Sequence, residues 1–242
     1  FVEQMNARAQ ELGMTDTTFV NPTGLDAEGH VSTAWDIALM SRELLRHPKV
    51  TEYTTIWMDS LRDGKTALTN TNKLVRFYEG CTGLKTGTTD GAGSCLSASA
   101  TRDGLSLIAV SMGSTTSEDR FASCRTLLNY GFSAFESFTP EVPKEELAPV
   151  TIKGGTAETV PLTLSSSESI LVAKGRSADV SRTVEVPTEA EAPVEKGAQL
   201  GQAIFSLDGQ VLAKLPILAG EAVPRMNFSW AFMILLKSFL SI

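Results

Sequence analysis

The chain has 242 residues, 21 of them basic and 28 acidic, and its net charge of −7 argues against a nucleic-acid partner, which selects basic surfaces. Hydrophobic residues make up 42% and charged ones 20%, an ordinary globular composition with room for one large domain or two smaller ones. Two histidines and three cysteines without His-x-x-x-His or Cys-x-x-Cys spacing argue against a metal site, and no motif calls for a cofactor.

Phe1–Leu12 reads as a helix with Val2, Met5, Ala9 and Leu12 near one face and Gly13 as its stop. It opens in mid-helix without an initiator methionine, which leads to the expectation that the chain starts inside a longer protein. Asn21-Pro22 and Gly24 punctuate a loop over Thr18–Asp26. Ser32 or Thr33 caps the next helix, with Asp36 at the capping-box position after Thr33. Ile37, Met40, Leu44 and Leu45 are its expected inward face, and His47-Pro48 its end. Residues 55–61 and 65–69 form a small hairpin around Asp63-Gly64.

Cys81–Gly93 is the stretch on which the chain is centred, a strand running into a glycine-rich turn at Asp90-Gly91. Ser94–Thr101 and Leu105–Met112 follow as a hairpin around Asp103-Gly104, so the three strands make an antiparallel sheet. Gly87 lets another backbone approach, so an extended peptide could add beside the strand. Lys85 and Thr86 would both point a charge and a hydroxyl at that groove. Three residues alone, however, read better as a solvated lysine on an ordinary strand. A helix over Glu118–Phe135 buries Phe121, Cys124, Leu127, Leu128 and Phe132. Arg120 in its first turn is, by default, a surface arginine paired with a local carboxylate. Cys81, Cys95 and Cys124 give no disulfide framework. A Cys81–Cys95 bridge would fit neighbouring strands, and small buried thiols fit better.

From about residue 139 the pattern changes to short β-type runs, at 150–153, 159–164, 170–173, 180–186, 203–207 and 211–215, with a hairpin turn at Asp208-Gly209. This predicts a small all-β sandwich without a catalytic constellation. Residues 225–242 are rich in Phe, Trp, Ile and Leu, with a narrow strip of Ser229, Met233, Lys237 and Ser241. Too short to span a bilayer, the segment reads as an amphipathic helix lying on a membrane surface.

Lys85-Thr86-Gly87 with Thr89-Asp90 and Ala92-Gly93 resembles the third motif of the serine D-alanyl-D-alanine carboxypeptidases, the low-molecular-mass penicillin-binding proteins. The likeness extends to Phe1–Met14, to Asn21-Pro22-Thr23-Gly24-Leu25-Asp26, to Asp119-Arg120-Phe121 and to Leu127–Phe132. The β domain and tail stand in the family's order. The resemblance implies an α+β fold: a penicillin-binding/β-lactamase-like antiparallel sheet with helices, only partly present, over 1–138. An all-β domain at 139–224 and a membrane-anchor helix at 225–242 follow it. It implies attack by a serine on the bond between two D-alanines of a peptidoglycan stem peptide, acylation of the same serine by β-lactams, and an extracytoplasmic location at the bacterial membrane. Lys85 would serve proton transfer, Thr86 the substrate carboxylate, the Thr88 N–H beyond Gly87 the oxyanion, and Arg120 the carboxylate pocket.

The sequence departs from the family at the nucleophile. No serine has a lysine three positions later or an asparagine two positions later. Thr82 and Lys85 have Thr-x-x-Lys spacing but leave a strand on opposite faces, so they form no nucleophile pair. The serine is expected either upstream in a longer polypeptide or in a separate N-terminal chain, and this chain alone is expected to be inactive. A serine β-lactamase-like hydrolase and a non-catalytic peptidoglycan-binding module remain alternatives.

Overall fold

The structure, a computed structural model, describes residues 1–230 together with 232 and 233. It divides into two compact units, Phe1–Glu136 and Ser137–Ile242.

In the first unit, α1 (Val2–Glu11) ends where Gly13 takes a left-handed φ of 78°. Thr33 caps α2 (Ala34–Leu45), its hydroxyl accepting the Asp36 N–H. Asp36 does not complete a capping box. Its buried carboxylate accepts instead from the Thr17 hydroxyl and the Asp16 N–H, tying the upstream loop to the helix. The expected inward face of α2 is also corrected: Met40 and Leu44 are exposed, and the buried helical positions are Asp36 and Ser41. Pro48 starts a new short helix, α3 (Lys49–Thr54), before the exposed hairpin β1 (Met58–Leu61) and β2 (Thr66–Thr69). A one-turn α4 (Leu74–Phe77), too short to leave a periodic signal, leads into the sheet.

That sheet is β3 (Cys81–Thr89), β4 (Gly93–Arg102) and β5 (Leu105–Ser114), antiparallel in the order β3-β4-β5. Thr116 and Asp119 form a capping box on α5 (Ser117–Ala134), which packs on β4 and β5. The two faces of β4 differ in chemistry. Leu96, Ala98 and Ala100 face α5 and build the core with Phe121, Cys124 and Leu128. Ser97, on the opposite face, meets Ser41 of α2 with 2.7 Å between hydroxyls. Burial on both sides makes β4 the middle of a three-layer arrangement. Leu127 is 50% exposed, at the edge of the α5 stripe and outside the core where the periodicity placed it. Cys81, Cys95 and Cys124 are all free thiols. β6 (Phe135–Phe138) crosses the junction between the units.

The second unit holds β7 (Val150–Lys153), β8 (Thr159–Val160), β9 (Leu162–Leu164), β10 (Ile170–Ala173), β11 (Ser181–Glu185), β12 (Glu189–Glu191), β13 (Gln199–Leu207) and β14 (Gln210–Ala219). Pro161 splits the run that reads as one strand over 159–164, because it offers no N–H to a ladder. One sheet runs β11-β13-β14-β9, another runs β12-β7-β8, and β10 pairs with β6. Asp208 and Gly209 both take positive φ, 50° and 79°, as a two-residue hairpin turn requires. Two apolar clusters fill this unit, around Val150, Val160 and Val223 and around Phe205, Leu215 and Ile217, and Leu162 and Val186 pack against both.

Most of the tail helix expected at 225–242 lies outside the described residues. At its start the Asn227 side-chain oxygen Oδ1 accepts the Trp230 N–H, an N-cap bond, and Phe228, Phe232 and Met233 are exposed. Among the described residues no helix is long and apolar enough to cross a membrane.

Candidate active site

The strand β3 lies at one edge of its sheet, so one side of its backbone is unpaired by β4. Register pairs Lys85 with Ser97, Thr86 with Leu96 and Gly87 with Cys95. Ser97 belongs to the α2 face and Leu96 to the α5 core. Lys85 and Thr86 therefore leave β3 on opposite faces, and the expectation that both point into one groove is corrected by the period-2 geometry of any strand. What brings them together is the strand edge they share. A Cβ added at Gly87 would meet nothing within 4 Å, so the backbone there is open to approach.

On the α2 face, Lys85 and Leu84 border an apolar groove of about 370 Å³, walled by Ile37, Met40 and Leu44 of α2 and by Met112 of β5. The Lys85 ammonium donates to the Thr86 carbonyl. Outward-facing methionines and leucines stand there beside a single cation.

On the α5 face, Thr86 is 7% exposed and its hydroxyl lies 2.7 Å from that of Thr71. Two hydroxyls sharing one bond keep one proton to donate elsewhere. Beside them lies Arg120, also 7% exposed. Its Nη1 donates to the Gly87 carbonyl at 2.9 Å, the Thr88 hydroxyl at 3.0 Å and the Cys95 carbonyl at 3.2 Å, and its Nη2 to the Ser117 hydroxyl at 3.2 Å. The surface arginine with a local carboxylate is thus overturned: among the described residues no carboxylate pairs with it. The Nε–H is buried without an acceptor, and Nη2 has a second N–H to spare. A buried cation with no counter-ion is costly unless an anion arrives, and a guanidinium fork suits a carboxylate.

Thr71, Ser117 and Ser97 support this site and carried no signal of their own in the sequence. Arg120 did carry one: it stands four residues before Cys124, on the buried stripe of α5. Burial pushes the Cys124 thiol up to about 11, so it is an inert packing group. Among the described residues no cluster of His, Cys, Asp and Glu is arranged to hold a metal ion.

The site is thus an edge strand bearing Lys-Thr-Gly, with a cation on each face. The chain belongs to the D-alanyl-D-alanine carboxypeptidase family: that family's model matches residues 1–116, and the C-terminal domain of penicillin-binding protein 5 matches residues 135–225. It is 40% identical over 232 residues to the D-alanyl-D-alanine carboxypeptidase DacF of Bacillus subtilis, covering 94% of this chain and 60% of the relative. It is 34% identical to DacC of Escherichia coli, covering 94% of this chain and 57% of the relative. The chain therefore spans about three fifths of the length of these relatives. Among solved structures, penicillin-binding protein 5 from Haemophilus influenzae aligns at TM-score 0.71 and 29% identity, over 93% of this chain and 66% of that one. Penicillin-binding protein D2 from Listeria monocytogenes, solved with cefotaxime bound, aligns at TM-score 0.51 and 39% identity over 54% of each chain.

Proposed function

We propose that this chain is the carboxylate-recognition part of a serine D-alanyl-D-alanine carboxypeptidase, which releases the terminal D-alanine of peptidoglycan stem peptides and is acylated by β-lactams. The observation that carries this reading is the buried guanidinium of Arg120, held at Gly87 and Thr88 with N–H groups unpaired and no carboxylate partner. The stem peptide lies along the open edge of β3 as an added strand. Its terminal carboxylate accepts a hydrogen bond from the free O–H of the Thr71–Thr86 hydroxyl pair and pairs with the charge of Arg120. The Thr88 N–H donates to the oxygen that becomes negative as the serine attacks. The acyl-enzyme forms with loss of D-alanine, and water then hydrolyses it. Lys85 holds the proton network on the opposite face of the strand.

The serine belongs to polypeptide outside these 242 residues, upstream or as a separate chain, and this polypeptide seats in the apolar groove beside Lys85. Two features support that: the exposed Met40, Leu44 and Met112 around the groove, and the two fifths of the relatives' length that this chain does not span. The enzyme works at the extracytoplasmic face of the bacterial membrane, with the helix that begins at Asn227 lying in the interface. Removing residues 226–242 then releases the protein from membranes, and continued co-sedimentation contradicts the anchor.

The test of the activity compares D-alanine release from an acyl-D-alanyl-D-alanine peptide with penicillin turnover, using the polypeptide that includes the upstream part. Release with a long-lived penicilloyl adduct is expected. Rapid penicillin turnover without D-alanine release supports a β-lactamase-like hydrolase, and neither activity supports a peptidoglycan-binding module.

A further inference from the structure

The Asn21–Asp26 segment is a motif to which the site described above assigns no task. It is unusually tied down for an exposed loop. The Asn21 side-chain oxygen accepts the Thr23 N–H, the Thr23 hydroxyl and the Gly24 N–H, and its Nδ2 donates to the Leu25 carbonyl. Upstream, Asn6 pairs both ways with the backbone of Phe19, at 2.8 Å for each bond. The segment is thus a rigid bracket that projects one side chain, Asp26.

That carboxylate reaches the far end of β3. Its Oδ1 accepts the Thr89 hydroxyl at 2.5 Å and its Oδ2 the Gly91 N–H at 3.0 Å. The same Thr89 hydroxyl accepts the Ala92 N–H at 3.0 Å, so both ends of the β3–β4 turn converge on one carboxylate. Gly91 is the residue that permits it: an added Cβ would stand 3.2 Å from Asp26 Oδ1. The Thr89 and Gly91 donors hold the Asp26 carboxyl below the ordinary carboxylate range, so it stays ionised in its clamp.

We infer that Asp26 is a positioning residue, whose two hydrogen bonds to the β3–β4 turn fix the place of the Gly87–Thr88 edge and its N–H donor. Thr88 is adjacent to Thr89, and beyond Lys85 the strand is paired on one side only, with β4, its outer edge having no strand beside it. From one side Arg120 holds Gly87 and Thr88, and from the end Asp26 holds Thr89 and Gly91. A donor aimed at a developing charge is sensitive to small displacements, which is why such a turn needs bracing.

The inference rests on the acyl-enzyme reading above, and it is tested in the polypeptide that includes the upstream part, with a fluorescent penicillin as probe. Asp26→Asn keeps the shape and loses at least one of the two bonds, because an amide nitrogen cannot accept from a backbone N–H. The expected result is acylation about 10-fold slower per active molecule, with the labelled fraction and Tm unchanged, and D-alanine release falling in kcat rather than rising in KM. Thr89→Val gives a similar loss, Thr89→Ser restores the rate, and the Asp26→Asn/Thr89→Val double variant is no slower than either single one. Wild-type rates in both single variants overturn the inference. So does a loss confined to the labelled fraction and Tm, which marks a purely structural contact. If the unsubstituted polypeptide is not acylated at all, the functional reading fails first and takes this inference with it.

Discussion

Arg120→Met removes the guanidinium while keeping an unbranched side chain to pack over Phe121. Two effects on stability oppose each other. Gly87, Thr88 and Cys95 lose a donor, but the two threonine–glycine acceptors lie in exposed residues and can turn to water. Against that, a guanidinium 7% exposed and without a counter-ion no longer has to be buried. Net stability should therefore change by only about 1 kcal/mol, read from chemical denaturation. Recognition should not be spared. A hydrogen bond to a charged group contributes about 1.5–3 kcal/mol, which corresponds to about a 10- to 150-fold loss in kcat/KM. The assay is a cycle: wild type and Arg120→Met, each with an acyl-D-alanyl-D-alanine peptide and with its C-terminal amide. The wild type should lose most of its rate on amidation, and the variant should barely distinguish the two. If Arg120→Met prefers the free acid as strongly as the wild type does, the guanidinium does not read the carboxylate and the argument from its missing counter-ion is wrong.

Three further outcomes are expected. Lys85→Ala, in the polypeptide with its upstream part, should abolish acylation by a fluorescent penicillin while leaving the circular dichroism spectrum intact, and unchanged acylation would remove Lys85 from the site. Ser41→Ala or Ser97→Ala should cost about 1–3 kcal/mol by stranding a buried hydroxyl, whereas the double alanine variant should be closer to neutral, as measured by urea denaturation. Because burial raises the Cys124 thiol to about 11, the folded state keeps it protonated where the unfolded chain ionises. Its contribution is therefore intact below about pH 9 and is lost as pH rises from 9 towards 11. Replacing Cys124 by Ala should flatten that alkaline decline in Tm.

Strand positions were legible in the sequence because the chain marks its turns with Asp-Gly pairs: Asp63-Gly64, Asp90-Gly91, Asp103-Gly104 and Asp208-Gly209 each close a hairpin. Local chemistry sets those turns, and period-2 burial sets the strands between them. The inward face of α2 was not legible, because its apolar residues border a groove that this chain does not fill, so hydrophobicity and burial part company at Met40 and Leu44. Asp36 misled for a related reason: a carboxylate at the capping-box position found stronger donors in Thr17 and Asp16 across a loop. Of the candidate site, Lys85, Thr86, Gly87 and Thr88 were given by spacing and resemblance. The structure added that Lys85 and Thr86 work from opposite faces of an edge strand. It also showed that Arg120 is buried and donates to Gly87 and Thr88 rather than lying on the surface. Neither follows from residue type, since both depend on which face of β3 each layer covers.

The most direct measurement is where penicillin ends up. The polypeptide that joins this chain to the remaining length of its relatives is treated with a fluorescent penicillin, digested, and the adduct located by mass spectrometry. A penicilloyl group on a serine outside these 242 residues, and no labelling of this chain by itself, is the result the account predicts. An adduct on any residue from 1 to 242 contradicts it.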